Sequence, residues 1–225
     1  MSKKTADLLC LACVLLPVLL AAWWWPALPD PMPSHWNASG EVDGYLPKFW
    51  GVAILPLAAA ASWGIMKLIP VISPQGFRTD SFLGTVRVFQ FALVAFLSLI
   101  GVLVLLEARG AGVPMNRVVI AAVGVLFIVI GNFLGKVRKN FFIGIRTPWT
   151  LASDEVWART HRLAGWLFVG GGLVMLAGGL ADLPVSLVIG VVLVAALYPV
   201  LHSFLLYRRL EGFAPERDGD PGDSR

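Results

Sequence analysis

The stretch GNFLGKVRKNFFIGIRTPWTLASDEVWARTHRLAG, Gly131 to Gly165, decides how this chain is read, because it separates two apolar spans yet carries dense, mixed chemistry. It opens as the end of an apolar helix, with Asn132 and Gly135 near the finish, and passes at once into Lys136, Arg138 and Lys139, as a helix leaving a membrane does. Gly144 admits backbone angles closed to other residues, and Thr147 before Pro148 is pushed towards extended conformations. Asn140 to Leu151 is therefore expected to be an irregular loop and not a helix. Phe141, Phe142, Ile143 and Trp149 are too apolar for a fully solvated connection, which places them in the membrane interface or against helix ends. Ser153, followed by Asp154 and Glu155, reads as an N-cap with acids in the positive first turn, and Glu155 with Arg159 is a favourable pair four residues apart. The helix that starts there should run unbroken into the apolar span beyond Leu163, with Val156, Trp157, Thr160, His161 and Ala164 along one stripe.

Outward from this stretch the chain is lipid-like in composition. Of 225 residues 57% are hydrophobic and 14% charged, and the mean hydropathy is +0.77. Charge-poor runs long enough to cross a bilayer, about 20 residues each, occur at Leu8 to Trp25, Phe49 to Met66, Val88 to Leu106, Val118 to Gly135, Leu163 to Ala181 and Leu183 to Tyr207. The fold class is an all-α polytopic membrane protein with six transmembrane helices; the short alternating segments of a transmembrane barrel are missing. Basic residues flank one set of span ends: Lys3 and Lys4, then Lys67, Arg78 and Arg87, then Lys136 to Arg162, then Arg208 and Arg209. The other set holds only Lys48, Arg109 and Arg117. The positive-inside rule puts both termini and the 136–162 loop in the cytoplasm. The net charge of +4 is then a topology signal, and no direct nucleic-acid binding follows from it.

The N-terminal span should be retained as a helix and not cleaved as a signal peptide. It is long, ends in Trp23, Trp24, Trp25 and Pro26, and lacks a small-x-small cleavage site. Cys10 and Cys13 lie within it as C-x-x-C, but no second cysteine pair or histidine cluster accompanies them, and they read as small core residues more readily than as a redox pair or half a metal site. The outer loop, Leu28 to Trp50, is punctuated by prolines and glycines and should be compact, with Ser34 to Trp36 and Glu41 to Val42 pairing as a short hairpin against helix ends. His35, Trp36, Asn37, Glu41, Asp43 and Tyr45 would make it a recognition surface; a bland cap on the bundle is an equal reading, and a metal shared by His35, Glu41 and Asp43 a lesser one. Gly170, Gly171, Gly172, Gly178 and Gly179 suit span five to close helix contact. Polar residues within the spans are few, namely Gln90, Asn132 and His202 with Glu107 near the outer edge, which disfavours an ion-driven pump. The tail from Glu211 is polar and is expected to be disordered.

Two parts of the chain resemble one family. Gly131-Asn132, Lys136, Asn140, Gly144-Ile145-Arg146-Thr147-Pro148-Trp149-Thr150, Val156-Trp157, Thr160-His161-Arg162 and Ala164-Gly165 resemble the SdpI family of bacterial membrane proteins. The outer loop, with Pro33, His35-Trp36-Asn37, Gly40, Asp43-Gly44-Tyr45 and Lys48, is similar to the extracytoplasmic module of unknown function often found at that family's N-terminus. The resemblance divides the chain into a two-helix module at 1–71 with outer loop 28–50, a connecting helix at 72–117, an SdpI-like region at 118–210 with cytoplasmic loop 136–162, and the tail at 211–225. It implies a multi-pass protein of the bacterial inner membrane, without cofactor or catalytic residues. The implied role is immunity to a secreted antimicrobial peptide, reception of that peptide with sequestration of a transcriptional repressor at the membrane, or both. The surfaces that would bind such partners are His35, Trp36, Asn37, Asp43 and Tyr45 outside, and Asn140, Arg146, Trp149, Trp157, His161 and Arg162 inside. Two other classes stay open at this stage: a small transporter or lipid-binding protein, and an enzyme in which Arg146, His161, Glu155 and Thr150 act on a lipid headgroup.

Overall fold

A computed structural model describes residues 1–181 and 183–213; the expected disordered tail, beyond its first three residues, and Asp182 in the last connection lie outside them. The elements in order are α1 (Lys3–Trp24), β1 (Met32–Trp36), β2 (Val42–Leu46), α2 (Lys48–Ile72), α3 (Leu83–Ala108), α4 (Met115–Leu134), α5 (Pro148–Ala152), α6 (Asp154–Ala181) and α7 (Val185–Leu210). All except α5 among the helices are long and apolar enough to cross a membrane, which makes six. The shortest of these, α4, has 20 residues, and at about 1.5 Å of rise each it matches the roughly 30 Å hydrocarbon core. Their outward faces carry exposed Leu, Val, Ile and Trp, the pattern of a surface solvated by lipid.

The six spans expected from sequence are thus present, most of them longer than the apolar runs alone. α2 runs on through Pro70 to Ile72, and α3 begins five residues before Val88. Helices α1 and α2 both pack on α3, α4 pairs with α6, and α7 leans on α6, with α3 and α4 joining the two groups. Three apolar clusters tie them together. One, at the hairpin end, gathers Ala21, Leu28, Met32, Val104, Leu105 and Met115. A second holds Cys10, Ala59 and Val94 in mid-bundle. The third, at the opposite end, sets Val137, Ile143 and Trp157 against Ile69, Phe82, Val86 and Phe89. Both cysteines are free, Cys10 fully buried with the Gln90 amide 3.7 Å from its sulfur.

The tightest contact is between α4 and α6, and it rests on glycines seven residues apart. A Cβ at Gly131 would lie 2.7 Å from the Gly165 carbonyl oxygen, one at Gly124 2.7 Å from that of Gly172, and one at Gly179 2.5 Å from that of Arg117. A seven-residue period keeps one seam of each helix facing the other, and without side chains the backbones touch. Of the glycines expected to serve this purpose, Gly172 and Gly179 face α4, Gly171 meets Val191 of α7, and Gly170 faces open space. The Arg117 guanidinium closes the far end of α6 by donating to the carbonyls of Gly179 at 3.2 Å and Leu180 at 2.7 Å, two of the acceptors a helix C-terminus leaves unpaired.

One expectation fails. Asn140 to Leu151 is not wholly irregular, because Pro148 to Ala152 forms α5. Proline at the first helical position needs no N–H partner and comes with a suitable φ, while Thr147 and Thr150 form a reciprocal capping box that satisfies the first turn. Reading Pro148 only through its effect on Thr147 missed the helix it begins.

Candidate functional site

At one end of the bundle the hairpin forms as expected and is longer, with Met32 opposite Leu46, Pro33 opposite Tyr45, His35 opposite Gly44 and Trp36 opposite Val42. Two strands alone are marginal, and this pair is held from below. Met32 is fully buried against Gly51 at the start of α2, where a Cβ would come within 2.7 Å of the methionine's own. Asn37 organises the tip: its side-chain oxygen accepts from the N–H groups of Ser39 and Glu41, both at 3.0 Å, and its amide donates to the Glu41 carboxylate at 3.0 Å. His35 pairs with Asp43 on the exposed face. Glu41 is engaged by Asn37 instead, and no group of three metal-ligating side chains occurs among the described residues. Tyr45 projects outward, and the Trp36 indole turns inward over a cavity. Sequence alone does not single out Asn116, yet its amide reaches the Ala38 carbonyl at 3.4 Å and fastens the hairpin tip to the first turn of α4.

At the opposite end, the segment from Lys136 to Thr147 is irregular but fixed. Asn140 is completely buried and meets both halves of its amide: the oxygen accepts from Phe142 and Ile143 N–H at 2.8 Å each, and the NH₂ donates to the carbonyls of Arg138 at 2.8 Å and Ile143 at 3.1 Å. His161 is equally enclosed. Its Nδ1 donates to the Trp157 carbonyl at 2.8 Å and its Nε2 accepts from Ile145 N–H at 3.0 Å, which defines a neutral ring with the proton on Nδ1. The ring stacks on Trp157 with centroids 4.0 Å apart, and the Trp157 indole donates to the Val137 carbonyl at 2.8 Å. Gly144, at φ +108°, lies against the Nε2 edge of the imidazole, where any Cβ would come within 2.3 Å of Nε2. Val156, Trp157, Thr160, His161 and Ala164 are all buried on one stripe, as their spacing predicts.

The expected inner residues therefore divide. Asn140, Trp157 and His161 spend their polar groups on the fold itself. Arg146, Trp149 and Arg162 lie nearer the surface: Arg146 donates to the Phe141 carbonyl, Trp149 meets Phe204 of α7 edge-on at 5.1 Å, and Arg162 is exposed. Thr150 is buried in the α5 cap and Glu155 is engaged by Arg159 at 2.5 Å, so the residues of the lipid-enzyme alternative do not converge on a common point. Thr147 bonds Ser203 of α7 at 3.1 Å and anchors the loop to the last helix. A further cluster, Asp7 with Lys67 at 3.1 Å and the Trp63 indole at 3.3 Å, bridges α1 and α2 near this end. It is not legible in sequence because Asp7 falls one residue before the first apolar run.

Helical spans, a lipid-facing surface and two small structured ends define a multi-pass membrane protein. Residues 136–203 match the SdpI/YfhL protein family, and residues 12–60 match a domain of unknown function (DUF1648). The chain is 25% identical over 187 residues to the Immunity protein SdpI of Bacillus subtilis (strain 168), covering 82% of this chain and 87% of that one. The chain is thus similar to the SdpI family over residues 136–203, and it is a multi-pass protein of the bacterial cell membrane. No solved structure matches it.

Proposed function

We propose that this protein protects its cell against a secreted, membrane-active antimicrobial peptide and reports that peptide to the cytoplasm by holding a transcriptional repressor at the membrane. The observation that carries the reading is the similarity, over most of its length, to an immunity protein. The asymmetry of basic residues orients the hairpin outward and the 136–147 segment inward. On the hairpin, the exposed His35, Asp43 and Tyr45 form the face that meets the peptide. On the inner side Arg138, Arg146 and Arg162 are exposed together with half-buried Trp149, a basic and aromatic face suited to an acidic patch on the repressor. Asn140, Trp157 and His161 serve that face indirectly by fixing the backbone that displays it.

The test is expression in a sensitive host, with survival under the peptide and membrane localisation of a tagged repressor as separate readouts. Tyr45→Ala and Asp43→Ala should reduce survival, while Arg146→Ala and Arg162→Ala should release the repressor and spare survival. A wild-type protein that changes neither readout, for the peptide and repressor encoded beside its gene, refutes the proposal.

A further inference from the structure

Beneath the hairpin lies a cavity of about 370 Å³, independent of the immunity reading in what it shows. Its lower walls are apolar, from Ile54 and Leu55 of α2, Ile100 and Val104 of α3 and Val119 of α4, while its upper rim carries Ser34, His35 and Asn116. Apolar depth under a polar rim is the shape of a site for an amphiphile. Trp36 forms part of the lining, and its Nε1 is shielded from solvent with no hydrogen-bond partner among the described residues. A buried donor left unmet is costly, so an acceptor entering the cavity would complete the site. The mouth identifies where the acceptor comes from. Trp50 and Ile54 line the cavity and are also 50% and 44% exposed, which makes it continuous with the lipid-facing surface of α2. Helix α3 lies between α2 and α4, so the gap between those two opens sideways into the bilayer. Exposed Trp23, Trp25, Phe49 and Trp50 cluster where α1 ends and α2 begins, aromatics of the kind that mark headgroup depth, where lipid ester carbonyls lie.

We propose that the cavity takes one acyl chain of an ester-linked phospholipid from the surrounding leaflet, with the Trp36 indole N–H donating to the ester carbonyl. The chain lies along Leu55, Ile100 and Val119, and the headgroup stays at the rim near Asn116. An apolar side chain of a bound peptide is the competing occupant, and the experiment separates the two.

The protein is labelled with ¹⁵N at tryptophan and placed in nanodiscs of diester phosphatidylcholine or of the diether lipid with the same chains, which lacks the carbonyls. The Trp36 indole resonance, assigned by its loss in Trp36→Phe, should lie downfield in the diester bilayer. Ile54→Trp at the mouth, where Ile54 is already partly exposed, should block entry and bring the two positions together. Native mass spectrometry should show one diester lipid retained by the wild type after detergent exchange, and at least tenfold less retained by Ile54→Trp. Identical Trp36 positions in both bilayers overturn the proposal. So does a resonance that moves only on addition of a synthetic amphipathic Leu/Lys peptide, which would give the cavity to the peptide. Because no survival assay enters, failure here is distinct from failure of the immunity reading.

Discussion

Replacing Gly144 with alanine tests how the 140–147 segment is held. The new Cβ would lie 2.3 Å from His161 Nε2, and the backbone there has φ +108°. An L-residue held in such a region costs about 1–3 kcal/mol. The imidazole, packed against Trp157, can yield only by giving up the bond it accepts from Ile145 N–H, about 1 kcal/mol more. Together these come to roughly 3 kcal/mol, or about a hundredfold in a local opening equilibrium. Hydrogen exchange at the Ile145 amide in nanodiscs reads that equilibrium, and Gly144→Ala should raise its rate by about that factor. Gly170→Ala is the control, because nothing lies within 4 Å of its added Cβ and a helical glycine gains by about 1 kcal/mol on becoming alanine. Unchanged exchange at Ile145 in Gly144→Ala, with the His161 ring resonances where they were, would refute the argument that glycine is required by the imidazole.

Gly124→Val should separate α4 from α6, since even a Cβ there meets the backbone of Gly172 and Leu176 at 2.7 Å; a loss of at least 1–3 kcal/mol, of the order overpacking brings, should lower the thermal midpoint in detergent, while Gly190→Val, facing open space, should not. Asn140→Ala leaves the N–H groups of Phe142 and Ile143 and two carbonyls without their partner, and limited trypsin digestion should then cut at Arg138 or Lys139 under conditions that leave the wild type whole. For orientation, a cysteine at Ser39 should react with an impermeant maleimide before the cell membrane is permeabilised; reaction only afterwards would invert the topology.

Much of the fold was legible because its signals are local. Apolar run length marks spans, and Ser153 with Asp154 and Glu155 marks the start of α6 whatever surrounds it. The hairpin was legible in part from its turn residues, though its full register depends on Met32 finding a seat against Gly51, a contact between distant segments. For the candidate site the limit is sharper. Asn140, Trp157 and His161 look from sequence like functional groups because polar and aromatic residues next to a membrane often are. Whether such a residue faces a partner or its own backbone depends on where Val137, Ile143 and Ile145 pass in space, and no spacing rule encodes that. Asn116 stayed hidden for the same reason, as its partner is the carbonyl of Ala38, a group every residue possesses.

Glycines and prolines within helices often mark hinges; α6 carries the former, and α1, α2 and α7 the latter. The packing argues otherwise for the glycines. At Gly124, Gly131, Gly172 and Gly179 the backbones of α4 and α6 are already in contact, and close-packed elements do not deform continuously. Pro17, Pro56 and Pro199 are buried among neighbouring helices. The α4–α6 pair is therefore a strut. It begins where Asn116 holds the hairpin tip and ends where His161 holds Ile145, so a displacement of the hairpin that reaches the inner face must carry both helices as one body. The segments able to accommodate that movement are its looser borders, the α3–α4 contact and the face that α6 shares with α7, where Gly170 and Gly190 leave open space. Coupling between the two ends should accordingly survive small-to-large changes at Gly170 or Gly190 only if the strut moves without closing that gap.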